Sequence, residues 1–214
     1  MRKRIYLDYA ATTPVAPEVF EAMRPYLVEN FANPSSIHTP GKEARIAVEE
    51  ARVKVAQALG ANPSEIIFTS CATEADNLAI KGLVEAMKAK GVGQPHLIVS
   101  SIEHHAVLDT VKHLQKQGVE VTRLKVDKDG LVSVSEVDKA IKSNTVLVSI
   151  MYANNEIGAV QPIQEIGQLL QGRKILFHTD AVQAASYLDC DVKKLGVDLL
   201  TLSSHKIYGP KGVG

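Results

Sequence analysis

Ten residues late in the sequence carry its densest chemistry: Ser203-Ser204-His205-Lys206-Ile207-Tyr208-Gly209-Pro210-Lys211-Gly212. They follow an apolar run, Val197 to Leu202, whose pattern predicts a short buried strand. A strand that ends in hydroxyl, imidazole and amine side chains and then breaks at Gly-Pro is placed like a site. Lys206 has two readings. As an ordinary loop lysine it is solvated and charged. As a Schiff-base lysine it is partly desolvated, so that its amine can be neutral and nucleophilic near neutral pH. Ser203 and His205 beside it suit an anionic group such as a phosphate.

Further clusters extend the same theme. Small residues and Thr73 opening a predicted helix make a phosphate seat, because free N–H groups and the helix dipole point at the ligand. An ordinary N-cap accounts for Thr73 equally. Asp180 and Gln183, predicted one helical turn apart, can face one ligand edge. A carboxylate there can keep a pyridinium nitrogen protonated, the role that pyridoxal 5'-phosphate (PLP) requires, and a second helix cap is the plainer alternative. His104 can stack on a flat ring or move protons, or it can be a structural histidine. Phosphate seat, aspartate, ring neighbour and lysine are together the parts of a PLP site.

These residues need elements to hold them. The spacing predicts helices over Pro17–Asn30 and about Lys42–Leu59, the second stopped by Gly60. A regular alternation then begins, with predicted strands Glu65–Ser70, His96–Ser100, Val119–Val126, Thr145–Tyr152, Lys174–His178 and Val197–Leu202. Helices are predicted between them, over Thr73–Lys90, His105–Gln117, Ser135–Lys142 and Ile163–Leu170. Short apolar strands alternating with amphipathic helices predict an α/β fold, a mostly parallel sheet flanked by helices. Ligands of such sheets bind beyond the carboxyl ends of the strands. His104, Asn155, Asp180, Ser203 and Lys206 all follow predicted strands, which scattered surface polarity would not produce.

Composition narrows the class. Lys plus Arg and Asp plus Glu balance at 24 each, which gives no electrostatic reason to expect nucleic acid or a membrane surface as partner. A hydrophobic content of 45% over 214 residues is that of a globular chain with a sizeable core. No apolar run approaches a membrane span, and Asp8 interrupts the one that a signal peptide would need after the basic start Met1-Arg2-Lys3-Arg4. Two cysteines, Cys71 and Cys190, without paired spacing predict a reducing, cytoplasmic setting.

The chain resembles the NifS/IscS-like cysteine desulfurases, PLP-dependent enzymes of the fold-type I aminotransferase superfamily (class V). The motifs that carry the resemblance begin with Tyr6-Leu7-Asp8-Tyr9-Ala10-Ala11-Thr12-Thr13-Pro14, Asn33-Pro34-Ser35-Ser36 and Ala72-Thr73-Glu74-Ala75-Asp76-Asn77. Glu103-His104, Asn154-Asn155-Glu156-Ile157-Gly158, Asp180 with Gln183, and Ser203 to Gly212 complete them in family order. The resemblance implies a Schiff base between PLP and Lys206, which also moves the substrate's α-proton. It implies Asp180 at the pyridine nitrogen, Gln183 at the ring hydroxyl, and His104 stacked on the ring and serving in proton transfer. Ala72, Thr73, Ser203 and His205 would hold the phosphate, with Asn155 beside the ring and the substrate carboxylate. The implied substrate is L-cysteine, converted to alanine while a mobile cysteine takes the sulfur as a persulfide. The implied partners are a second copy, as a homodimer, and a sulfur-acceptor scaffold protein for iron–sulfur clusters.

Departures from the pattern shape the expectations. Family members run to about twice this length. The expected division is therefore an N-terminal arm over 1–16 and a PLP-binding large domain over 17–214, incomplete at its C-terminus, with the small domain absent. The arginine for the substrate carboxylate and the persulfide cysteine fall in the missing part, so a C-terminal half supplied in trans is one expectation. Cys71 stands where the family usually has glycine, and Cys190 matches no persulfide position. The alternatives are another PLP-dependent lyase or aminotransferase of the same family, or a PLP-binding fragment without turnover. A metal hydrolase built on His178, Asp180, His104 and His205 lacks any recognised ligand spacing. The closing Gly209 to Gly214 lacks the Gly-Lys-Ser/Thr ending of a nucleotide-binding P-loop.

Overall fold

The computed structural model describes residues 5–214; the basic start 1–4 lies outside the described residues. Two helices come first. α1 (Pro17–Val28) starts with a proline at a position where its missing N–H costs nothing, and α2 (Thr39–Leu59) ends on Gly60 in the left-handed region, φ 67°. α3 (Ala72–Ala89) follows, then β1 (His96–Ser100), α4 (His105–Lys116), β2 (Glu120–Leu124), α5 (Val134–Ala140) and β3 (Thr145–Ser149). α6 (Ile163–Leu170), β4 (Leu176–Asp180), a short α7 (Val192–Leu195) and β5 (Leu199–Thr201) complete the alternation.

The five strands form one sheet in the order β2-β1-β3-β4-β5, every neighbouring pair parallel. Both faces are covered, which is why β1 and β3 are buried along their whole length and read as continuous apolar runs. Leu97 and Val99 of β1 pack with Ile80 and Val84 of α3 and with Val107 and Val111 of α4. Ile98 and Phe177 pack on the other face with Val137 of α5 and Ile163 and Ile166 of α6. The strand order reverses between β1 and β3, and ligands of such sheets collect outside the carboxyl ends near that switch.

Two expectations need correction. Glu65–Ser70 is not a strand: Pro63–Glu65 is one turn of 3-10 helix, and the segment beyond it joins no sheet. Its backbone makes one reciprocal pairing, Thr69 with Gly214, at 2.8 and 2.9 Å. The rest is held by Arg52 of α2, which donates to the Ile66 carbonyl and lies 5.0 Å from the centre of the Phe68 ring. Residues of β propensity become a strand only beside a partner, and between this segment and β5 there is an open cleft of about 1420 Å³. Ile66, Ile67, Leu78, Leu199 and Leu200 are among the residues that line it. The second correction concerns the helix expected to carry Asp180 and Gln183. Asp180 is the last residue of β4, and 182–187 are successive turns, begun where the Asp180 carboxylate accepts the Val182 N–H at 3.0 Å. The short α7 has no counterpart among the predicted elements.

Candidate active site

All five strands run the same way, so the loops after them meet at one edge. After β1, the Ser100 hydroxyl donates to Glu103 Oε1 at 2.5 Å, and the same oxygen accepts the Met151 N–H from the end of β3 at 2.8 Å. Asn154 ties these loops again. Its Nδ2 donates to the Ile102 carbonyl at 2.9 Å, and its Oδ1 accepts the N–H groups of Glu156 and Ile157 at 2.9 and 3.0 Å. The bonds fix the two loops that carry His104 and Asn155. His104 caps α4 by accepting the Ala106 N–H on Nδ1 at 3.1 Å, so its neutral ring keeps the proton on Nε2. The ring itself is exposed and free to stack. Asn155 donates from Nδ2 to Glu156 Oε1 at 2.6 Å.

Asp180 is 5% exposed. Burial pushes its carboxyl up, while the Val182 N–H and the charges of His104 and Lys206 pull it down. Across the edge, α3 begins with Cys71 in extended backbone as its N-cap, and no side chain caps the first turn. Glu74 is drawn back to Ser70, accepting its N–H at 2.7 Å and its hydroxyl at 2.6 Å, and these bonds lower its carboxyl. The N–H groups of Ala72 and Thr73 therefore lie in a first turn with no capping side chain among the described residues, the condition for anion binding. Gly214 crosses this turn closely: a Cβ there would fall 2.7 Å from the Cys71 carbonyl oxygen and 2.8 Å from the Ala72 nitrogen.

Ser203 is buried at the end of β5, and Ser204–Lys206 form one turn of 3-10 helix. The N-terminal arm holds this loop. Thr13 donates both its N–H and its hydroxyl to the His205 carbonyl, each at 2.9 Å, and its hydroxyl accepts the Tyr208 N–H at 2.9 Å. Thr12 Oγ1 lies 3.1 Å from His205 Nδ1. Lys206 Nζ donates to the Ala10 carbonyl, which also accepts Gln183 Nε2 at 2.9 Å. Burial lowers the Lys206 amine, against the pull of Asp8, Asp180 and Glu156. Burial and the neighbouring charges of Lys206 and Lys211 lower the His205 imidazole. Tyr208 sits at φ 62°, a left-handed conformation that costs a non-glycine residue about 1 kcal/mol or more. The contacts from Thr13 and Ala16 hold it there.

His104, Asn155, Asp180, Gln183, Ser203, His205 and Lys206 thus lie at or after strand ends on one edge, and Thr73, at the start of α3, lines a cleft together with His104. His178 does not join them. It is wholly buried, with Nδ1 2.8 Å from the Ser149 hydroxyl and Nε2 3.1 Å from the Thr201 hydroxyl. Cys190 is buried as well, and burial pushes its thiol up to about 11. Positions that the chemistry-bearing residues alone did not single out are the clamp residues Ala10, Thr12 and Thr13, and the loop ties Glu103 and Asn154. Two adjacent threonines ahead of Pro14 were the available signal for the clamp.

With this geometry in view, comparison with known proteins is direct. Residues 5–214 match the model of the class-V aminotransferases. The chain is 54% identical over 214 residues to a protein of Dictyoglomus turgidum named cysteine desulfurase IscS. It is 57% identical over 212 residues to one of the same name from Methanosarcina thermophila. These alignments cover 100% and 99% of this chain but 54% and 52% of the relatives, so the chain spans about half their length. Among solved structures, one described as SspA in complex with cysteine superposes with a TM-score of 0.93 at 48% identity, covering 99% of this chain and 60% of that one. A NifS-like protein gives 0.94 at 42% identity, covering 99% and 58%. Matched along all but its first four residues, the chain belongs to the class-V aminotransferase family.

Proposed function

We propose that this chain is the cofactor-binding part of a PLP-dependent cysteine desulfurase, which converts L-cysteine to L-alanine and passes the sulfur on as a persulfide. The observation that carries the reading is one edge on which an uncapped helix start, a buried carboxylate, an exposed imidazole and a lysine with a lowered amine converge. A phosphorylated pyridine fits these residues: the first turn of α3 offers N–H groups to a phosphate, and Asp180 offers a buried acid to a ring nitrogen.

In this reading Ala72, Thr73, Ser203 and His205 hold the phosphate, and Gln183 exchanges its bond to Ala10 for the ring hydroxyl. Asp180 pairs with the ring nitrogen, His104 stacks on the ring, and Asn155 sits between ring and substrate carboxylate. Bound PLP would supply an electron-withdrawing ring joined to an amine. Lys206 is the residue that offers that amine and then moves the substrate's α-proton, for which a lowered pKa suits it. His104, exposed and with Nδ1 engaged by the Ala106 N–H, keeps Nε2 for proton transfer with the substrate. The remaining large domain, the small domain, a homodimer partner, a scaffold protein that accepts sulfur, and a cytoplasmic setting belong to the same proposal.

The test is an assay of sulfide and alanine from L-cysteine, with a thiol reductant present to release the persulfide sulfur as sulfide, using the full natural chain loaded with PLP. Equal amounts of both, lost in Lys206→Ala, are expected. A keto acid in place of sulfide would favour an aminotransferase instead.

A further inference from the structure

Beneath the proposed cofactor edge lies a buried acidic group that none of the steps above uses. Asp76 of α3 is wholly buried, and neither carboxylate oxygen has a hydrogen-bond partner among the described residues. Its nearest basic neighbour is His178 Nε2, 3.5 Å from Oδ1, and that nitrogen already engages the Thr201 hydroxyl. Thr201 stands beside Asp180 in the ladder between β4 and β5, and His178 lies two residues before Asp180 on the same face of β4. Asp76 therefore sits against His178, Thr201 and Asp180 at once.

We propose that Asp76 is a positioning residue for Asp180: it holds one proton behind Asp180, so that Asp180 alone carries the negative charge of the pair toward the ligand. The role toward the ring nitrogen rests on the function proposed above; the sharing of a proton does not. Two buried carboxyls near enough to feel each other's charge cannot both ionise cheaply. The groups around them decide which one does. Asp180 faces Lys206 and His104, whose side chains favour its ionised form, and accepts the Val182 N–H. Asp76 has no such support from its basic neighbour, since burial lowers the His178 imidazole to about 4 and its other nitrogen is taken by Ser149. Burial, with the charge of Asp180 beside it, raises the Asp76 carboxyl to about 8, against the nearby Thr201 hydroxyl, which lowers it. Glu103, the third acid in this group, is likewise raised to about 8, chiefly by burial.

The experiment compares the full natural chain with Asp76→Asn, Asp180→Asn and the double variant, stripped of cofactor, by denaturation across pH 6 to 9. The wild type is expected to lose stability as pH rises, and Asp76→Asn, which keeps the shape without the titration, to flatten that slope. The two single effects should fall short of additive by a factor of ten or more in the unfolding equilibrium, because the ionisation of each carboxyl depends on the other. Additive effects, or an unchanged slope in Asp76→Asn, would overturn the inference. A readout without substitution at Asp76 is the infrared carbonyl band of a buried carboxylic acid. One such band should remain at pH 7 in Glu103→Gln and fade toward pH 9; its absence at pH 7 also overturns the proposal. The loaded protein separates the two layers. If coupling is present but Asp180→Asn leaves the cofactor's visible spectrum unchanged, the ring-nitrogen role fails and the shared proton stands.

Discussion

Thr13 and His205, 192 positions apart in the chain, are joined by two hydrogen bonds into one carbonyl: the backbone N–H and the hydroxyl of Thr13 both donate to the His205 oxygen at 2.9 Å. The N-terminal arm is thereby the clamp of the lysine loop, because the same hydroxyl accepts the N–H of Tyr208, which is held at φ 62°. Thr13→Val keeps the volume and the backbone bond but removes the hydroxyl. Leaving the Tyr208 N–H without its acceptor should cost about 1–3 kcal/mol in chemical denaturation. Cofactor should also be retained less well on dialysis. Unchanged stability and unchanged retention would show that the clamp is incidental.

Glu103 offers a test of the loop tie. Its carboxyl is raised to about 8 by burial, from an ordinary value near 4.5, so across the interval between these values the folded chain holds a proton that the unfolded chain has released. Stability from this group is present at acid pH and lost as pH rises toward 8. Glu103→Gln keeps an acceptor for Ser100 and Met151 and removes the proton. It should reduce the loss of stability between pH 6 and 8 by up to about 1.4 kcal/mol per pH unit. A parallel pH profile in the variant would place the ionised form in the folded chain.

Cys71 is the exposed N-cap of α3, in the turn proposed to seat the phosphate. Loading the protein with PLP is expected to slow alkylation of Cys71 tenfold or more while leaving unfolding-dependent labelling of buried Cys190 unaccelerated. Equal labelling rates with and without cofactor, read by peptide mass, would move the phosphate elsewhere.

Gly214 packs against the same turn, and the room for a side chain is absent there: a Cβ would approach the Ala72 nitrogen to 2.8 Å. Gly214→Ala should displace the turn and weaken cofactor affinity tenfold or more with little change in the far-ultraviolet spectrum. Retained affinity would mean that the turn gives way without cost.

What could be read in the residues, and what could not, follows physical lines. β1 and β3 were legible because strands covered on both faces are uninterrupted apolar runs, and α2 because Gly60 stops it. Residues 66–70 have the same strand-like composition and yet form none, since a strand is a property of two neighbours and, among the described residues, this segment pairs with another segment's backbone only through Thr69 and Gly214. The placement of His104, Asn155, Asp180, Ser203 and Lys206 on one edge was legible because each lies at or after the end of a strand. The clamp from Thr13 and the proton held by Asp76 were not, because both depend on contacts between distant parts of the chain that no local pattern encodes.

The central claim is that Lys206 is the residue that receives the cofactor, and it can be read directly. Borohydride reduction of the PLP-loaded full natural chain fixes the cofactor to whichever amine holds it, and peptide mapping then locates the label. The label is expected on Lys206 alone, with none in Lys206→Ala. A label on Lys211, five residues on and exposed, would contradict the account.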